Sequence, residues 1–131
     1  MNKKAVMLVL CQRRIVAEAL VGYIERSSNL SAFVVRKFTD AADIAKVRLP
    51  VLALVEIPER YGSPALDTLD VCEEIKKASP GCKIVLLCPE QDKESVDICI
   101  DERWRGSIED FLFYDSSMDY LASKLKALCG A

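Results

Sequence analysis

The sequence predicts a single α/β domain, residues 1–131, in which a parallel sheet is covered on both faces by helices. Three observations predict it. Short, near-continuous apolar runs recur along the chain, as in strands buried on both sides. Between them the apolar spacing changes from about 2 to about 3.6 residues, the mark of amphipathic helices. And 131 residues, 51% hydrophobic and 29% charged, suit one core of ordinary size.

The elements follow in order. Residues 4–10, "KAVMLVL", form the first strand, and Ile15, Val16, Ala19, Leu20, Tyr23 and Ile24 then mark one helical stripe. A second strand, 31–38 "SAFVVRKF", precedes Asp40, an N-cap for "AADIAKV". The third, 51–56 "VLALVE", leads into the only long connection, 57–66 "IPERYGSPAL". Leu69, Cys72, Ile75 and Ala78 form a stripe that "SPG" at 79–81 stops. The fourth strand is 83–88 "KIVLLC"; a helix over roughly 92–104 buries Val96, Cys99 and Ile100. The fifth, 109–113 "EDFLF", is followed by Ser116 as cap for a last stripe of Met118, Leu121, Ala122, Leu125, Leu128 and Cys129. Strand and helix alternate five times, which implies parallel pairing through right-handed crossovers.

Composition excludes several classes. A net charge of −2 and a pI of about 5.2, with Lys and Arg scattered, leave no basic field for direct contact with nucleic acid. No apolar run approaches the roughly 20 residues of a membrane helix. "MNKK" enters the first strand without a cleavage-site pattern, so the expected location is cytoplasmic. The six cysteines sit mostly among apolar neighbours and read as small buried hydrophobes; no CxxC pair and no His supply a zinc set.

In such a sheet, ligands bind where the strands end. Those ends are Cys11 and Gln12, Glu56 and Ile57, Cys88 and Pro89, and Phe113 and Tyr114. Glu56, a lone carboxylate closing "VLALVE", stands at the mouth of that place. It reads either as a solvated strand-terminal residue or as the centre of a site.

On "VLALVEIP", "KIVLLCPE" and "GSIEDFLFYDSSMDYLASKLKAL", the chain resembles the receiver domain of bacterial response regulators, over nearly its whole length. The resemblance implies a flavodoxin-like (βα)5 three-layer sandwich with strand order 2-1-3-4-5. It also implies a phosphoacceptor pocket whose parts are replaced here. Cys11 and Gln12 hold the positions of the Mg²⁺-binding acid pair, Glu56 that of the acceptor Asp, Cys88 that of the Ser or Thr, and Tyr114 that of the Lys. Phe111 matches the aromatic that changes rotamer. No slip of register restores the pocket: no acid lies between Met1 and Glu18, no Asp between Asp43 and Asp67, and no Lys between Lys93 and Lys124. No cofactor, Mg²⁺ included, is therefore expected, and no catalysis.

The expected function is a receiver-like module of two-component signal transduction that binds a protein partner without phosphorylation. Its partner, a sensor kinase, an effector domain or a second copy, would meet the fourth helix, fifth strand and last helix, beside Arg103, Trp104 and Arg105. Glu56, one methylene longer than Asp, would then mimic the phosphorylated state, and Tyr114 would donate its hydroxyl to it. Two alternatives stay open: a phosphorelay regulator phosphorylated in a non-standard way, and a Cys11-based phosphocarrier or redox or metal sensor. The last takes a lowered Cys11 pKa for nucleophilic use, or a metal bridging Cys11, Cys88 and Glu56. Two strand spacings, roughly 9–10 Å, put those thiols beyond disulfide reach.

Overall fold

The computed structural model describes residues 5–58 and 64–129. Five strands, β1 (Val6–Leu10), β2 (Ser31–Val35), β3 (Leu52–Glu56), β4 (Lys83–Cys88) and β5 (Asp110–Phe113), form one parallel sheet in the order β2-β1-β3-β4-β5. Five helices alternate with them: α1 (Arg14–Ser27), α2 (Ala41–Arg48), α3 (Pro64–Ala78), α4 (Lys93–Arg105) and α5 (Met118–Leu128). Fold class and strand order are those the sequence predicts. Lys4 of the first predicted strand and 59–63 of the long connection lie outside the described residues.

The alternation of side chains along each strand divides the core into two layers. Leu8, Leu10, Ala53, Val55, Ile84, Leu86 and Cys88 face one way, against α2, α3 and α4. Met7, Val9, Cys11, Leu52, Leu54, Val85, Leu87 and Leu112 face the other, against α1 and α5. All residues of β3 are buried, because it is central and covered on both sides.

Helix boundaries depart from the sequence reading in instructive ways. In α1 the inward residues are Ala17, Leu20 and Ile24, while Ile15 is 84% exposed. The predicted stripe is rotated because a small Ala carries no apolar signal and a surface Ile carries a false one. Ile100, expected to be buried, is 45% exposed; the fully buried residues of α4 are Ser95 and Cys99. Asp40 stands at the N-cap of α2 but ends a 3-10 turn over Phe38–Asp40, and its side chain makes no cap bond. For α5 the cap is Ser117 rather than Ser116, accepting from the Tyr120 N–H at 3.1 Å. The stop at 79–81 is as predicted: α3 ends at Ala78, and the Ser79 hydroxyl donates to the Pro50 carbonyl at 3.3 Å. α2 ends on Leu49 in the left-handed region, φ 48°, a conformation that costs a branched side chain free energy. No helix among the described residues is long and apolar enough to cross a membrane.

Candidate functional site

Register explains how Glu56 comes to be enclosed. Leu10 pairs with Val55 across β1 and β3, so the next residues, Cys11 and Glu56, are neighbours, and alternation turns Cys11 to the α1/α5 layer. Glu56 is only 2% exposed; it is not a solvated strand end. One carboxylate oxygen, Oε2, accepts from the Cys11 thiol at 3.1 Å, and Oε1 accepts from the Gln12 backbone N–H at 3.2 Å. Burial of a charge is tolerated only when such bonds replace its water. Here the donors come from the positions where the resemblance places acids.

The thiol answers to the same surroundings. Burial first, and then the bond to the Glu56 carboxylate, push Cys11 up to about 12. This is the opposite of the lowered pKa a nucleophile requires; its causes are burial and then the facing carboxylate, neither of which sequence spacing reveals.

Tyr114 roofs the pocket. Its hydroxyl donates to the Ile57 carbonyl at 3.4 Å, one residue along the chain from its expected partner, the Glu56 carboxylate, which is also within its reach. Glu56 is still close: the phenol is raised by burial and next by its interaction with that carboxylate. The Arg13 guanidinium lies 4.4 Å from the centre of the Tyr114 ring, a cation–π contact. Nothing in the sequence pairs residues 13 and 114, which is why this cover was missed.

Cys88 belongs to the other side of the sheet. Alternation along β4 turns it into the α2/α3/α4 layer, whereas Cys11 lies in the α1/α5 layer. The ligands of the metal bridge considered for Cys11, Cys88 and Glu56 would thus come from both layers of the sheet. Cys88 shares its layer with Cys99 of α4 instead, and its thiol donates to the Pro89 carbonyl at 3.6 Å. Among the described residues no group of three or more His, Cys, Asp or Glu is placed to hold a metal ion.

A second region lies along α4, β5 and α5. Ile100, Arg103, Trp104, Glu109 and Phe111 line a groove of about 410 Å³. Trp104 is 86% exposed and Tyr120 49%, both large to stand in water. Phe111 is half-buried and packs edge-on against Phe113, ring centres 5.7 Å apart. Arg103 and Arg105 do not point freely outward: they pair with Asp110 and Asp101, each at 3.2 Å. The structure thus gathers Cys11, Gln12, Glu56 and Tyr114 at one end of the sheet. It places Phe111, Arg103, Trp104 and Arg105 along the edge.

Comparison with known proteins bears on the fold. No protein-family model matches the chain, nor does any curated protein. Many solved structures do. A response regulator from Thermotoga maritima superposes with a TM-score of 0.78 at 16% identity, covering 98% of this chain and all of that one. The signal receiver domain of a putative Luxo repressor protein from Vibrio parahaemolyticus gives 0.76 at 19%, covering 98% and 92%. A protein described as one of a family of redox sensors in the streptococci, evolved from two-component response regulators, gives 0.75 at 16%, covering 96% of this chain and 51% of that one. The fold is that of response regulator receiver domains.

Proposed function

We propose that this chain is a receiver-like signalling domain that works as a protein-interaction module, without phosphoryl transfer and without catalysis. The observation that carries the reading is the hydrogen bonding of Glu56. Both carboxylate oxygens are engaged by Cys11 and Gln12, the residues at the positions a receiver gives to its metal-binding acids. These side chains do not fit Mg²⁺, which demands near-octahedral oxygen ligation, and a thiol and an amide make a poor substitute for two carboxylates. An incoming phosphoryl group would meet a buried carboxylate without the metal and the Lys that offset its charge in a receiver; the Arg13 guanidinium nearby lies over the Tyr114 ring. In this reading Glu56 supplies a permanent negative charge in a closed pocket.

The partner is a protein and its footprint is the α4–β5–α5 face. Trp104, Ile100, Phe111 and Tyr120 supply apolar area there, within a rim of Arg103, Arg105 and Glu109. Buried aromatic and Arg anchors dominate binding energy in protein interfaces. A sensor kinase, an effector domain or a second copy would each meet this surface, inside the cell.

Intact-mass measurement after incubation with acetyl phosphate and Mg²⁺ tests the first half. No added phosphate is expected, for the native chain or for Glu56→Asp, since the acid pair is lacking in both. Phosphate on either would overturn the reading. For the second half, capture of partners by the native chain and by Trp104→Ala is compared, with sedimentation to detect self-association; equal capture by both would reject the face.

A further inference from the structure

A parallel sheet with crossover helices puts the end of each helix beside the edge where the strands begin. That end of the molecule is basic: the last helical turns carry Arg26, Lys46, Arg48, Lys77 and Lys126, and Lys83 opens β4. The opposite end is acidic, with Asp43, Asp67, Glu94 and Asp119 in first turns. Both placements complement the helix dipoles. The dipoles do not account for the apolar side chains that stand among the cations.

Those side chains come from the turn between α2 and β3. Val47 is 80% exposed, Leu49 59% and Val51 37%, three aliphatic groups projecting into water from five residues of chain. Their backbone is firmly tied. The Leu49 N–H donates to the Ala45 carbonyl at 2.8 Å, the Val51 N–H to the Val6 carbonyl at 2.8 Å, and the Lys83 N–H to the Val51 carbonyl at 3.0 Å. Leu49 has φ 48°, where Gly or Asn is at ease and a branched side chain is strained. Stability alone therefore disfavours Leu at this position twice, by its backbone and by its exposure.

Four cations surround the turn. Lys46 and Arg48 flank Val47 in the chain and are exposed, and the Arg48 guanidinium is held 4.2 Å from the centre of the Phe33 ring. Lys83 follows from the backbone bond to Val51, and its ammonium donates to the Leu128 carbonyl at 2.9 Å. Lys77 lies two residues before Ser79, whose hydroxyl reaches the Pro50 carbonyl. It pairs with Glu74 at 3.8 Å between exposed side chains, which offsets one of the four charges.

We propose that this corner docks the protein on an anionic lipid bilayer, with Val47, Leu49 and Val51 entering the headgroup region and Lys46, Arg48, Lys77 and Lys83 resting against lipid phosphates. Aliphatic groups that project singly from a tight turn suit a fluid surface, which closes around them; a folded protein would need matching hollows. The acidic far end assists, because the field of an anionic surface turns the basic end toward it. Attachment of this kind is peripheral, reversible and salt-sensitive. The corner is built from other elements than the α4–β5–α5 face, so the proposal does not depend on the partner reading above.

Sedimentation of the full chain with vesicles tests it, using phosphatidylcholine alone and phosphatidylcholine mixed with phosphatidylglycerol. Binding to the mixed vesicles is expected to exceed that to the neutral ones at least about tenfold. It falls at least about fivefold when salt is raised from about 0.1 M to about 1 M and the Debye length shortens from about 10 Å to about 3 Å. Leu49→Asn suits the left-handed position, so its thermal midpoint is unchanged or raised while binding drops about fivefold or more. Lys46→Gln loses about fivefold, the share of one surface cation. Val47→Trp in a Trp104→Phe chain gives a tryptophan whose emission moves to the blue on the mixed vesicles. Absence of binding, equal binding to both vesicles, a Leu49→Asn chain that binds as the native one does, or unshifted emission would each overturn the proposal. So would Leu49-dependent binding to soluble polyglutamate as tight as that to the mixed vesicles, which would give the corner to an acidic protein.

Discussion

The strand-end pocket and the α4–β5–α5 face belong to one fold and have opposite character. In the pocket a carboxylate, a thiol, a phenol and a guanidinium are folded in on one another, and Glu56 is 2% exposed. On the face a tryptophan is 86% exposed and a groove of about 410 Å³ lies open beside it. The contrast teaches that the polar groups at the strand ends satisfy one another inside the fold, while the exposed apolar area lies at the sheet edge.

The largest expected effect concerns the reactivity of the pocket. With Cys11 pushed from 9.0 up to about 12, its thiolate population near pH 8 falls about 10³-fold. Alkylation by iodoacetamide, followed on the tryptic peptide 5–13, is slowed at least that far against a free thiol. A rate equal to a free thiol would show the pocket to be open.

The same shift gives a pH dependence. Cys11, Cys72 and Cys82 are each raised from 9.0 to about 12, chiefly by burial. Between those values the unfolded chain has lost protons that the folded chain keeps, so stability holds below pH 9 and falls as pH rises from 9 toward 12. Thermal unfolding across that range shows the decline, and Cys11→Ala makes it shallower.

Next in size is removal of the central acceptor. Glu56→Ala strands the Cys11 thiol and the Gln12 N–H, and is expected to cost about 2 kcal/mol in urea unfolding. Glu56→Gln keeps an acceptor and costs less. Neither weakens partner capture if the face acts alone; a loss in Glu56→Gln comparable to that in Trp104→Ala would couple the two regions.

The face responds in the reverse sense. Trp104→Ala is expected to weaken partner binding about tenfold or more while moving stability by under about 0.5 kcal/mol. Smallest is Asp101→Asn, which releases Arg105 from an exposed i,i+4 pair and shifts stability by about 0.3–0.5 kcal/mol at most. Urea unfolding of both variants, with binding measured alongside, separates the effects.

Most of the fold was legible because burial on both sides of a parallel sheet writes long apolar runs, as in "VLALVE" and "KIVLLC". What failed was orientation where hydrophobicity does not report it. Ile15 and Ile100 are apolar and outside; Ala17 and Ser95 are weakly apolar or polar and inside. The site was located but not its interior. Glu56 owes its enclosure to Cys11 and Gln12, some 45 positions earlier, and Tyr114 to Arg13, and no local pattern encodes such meetings. One placement was within reach: strand alternation sends Cys88 into the layer of α2, α3 and α4, and away from Cys11.

β5 is only four residues long and ends the sheet. Its outer row of amides and carbonyls is the kind of edge on which further strands add, and it runs beside the exposed tryptophan. Brevity and the acidic pair Glu109–Asp110 at its entrance shorten and charge that template. The exposed tryptophan thus stands beside an edge that is itself guarded against open-ended strand addition.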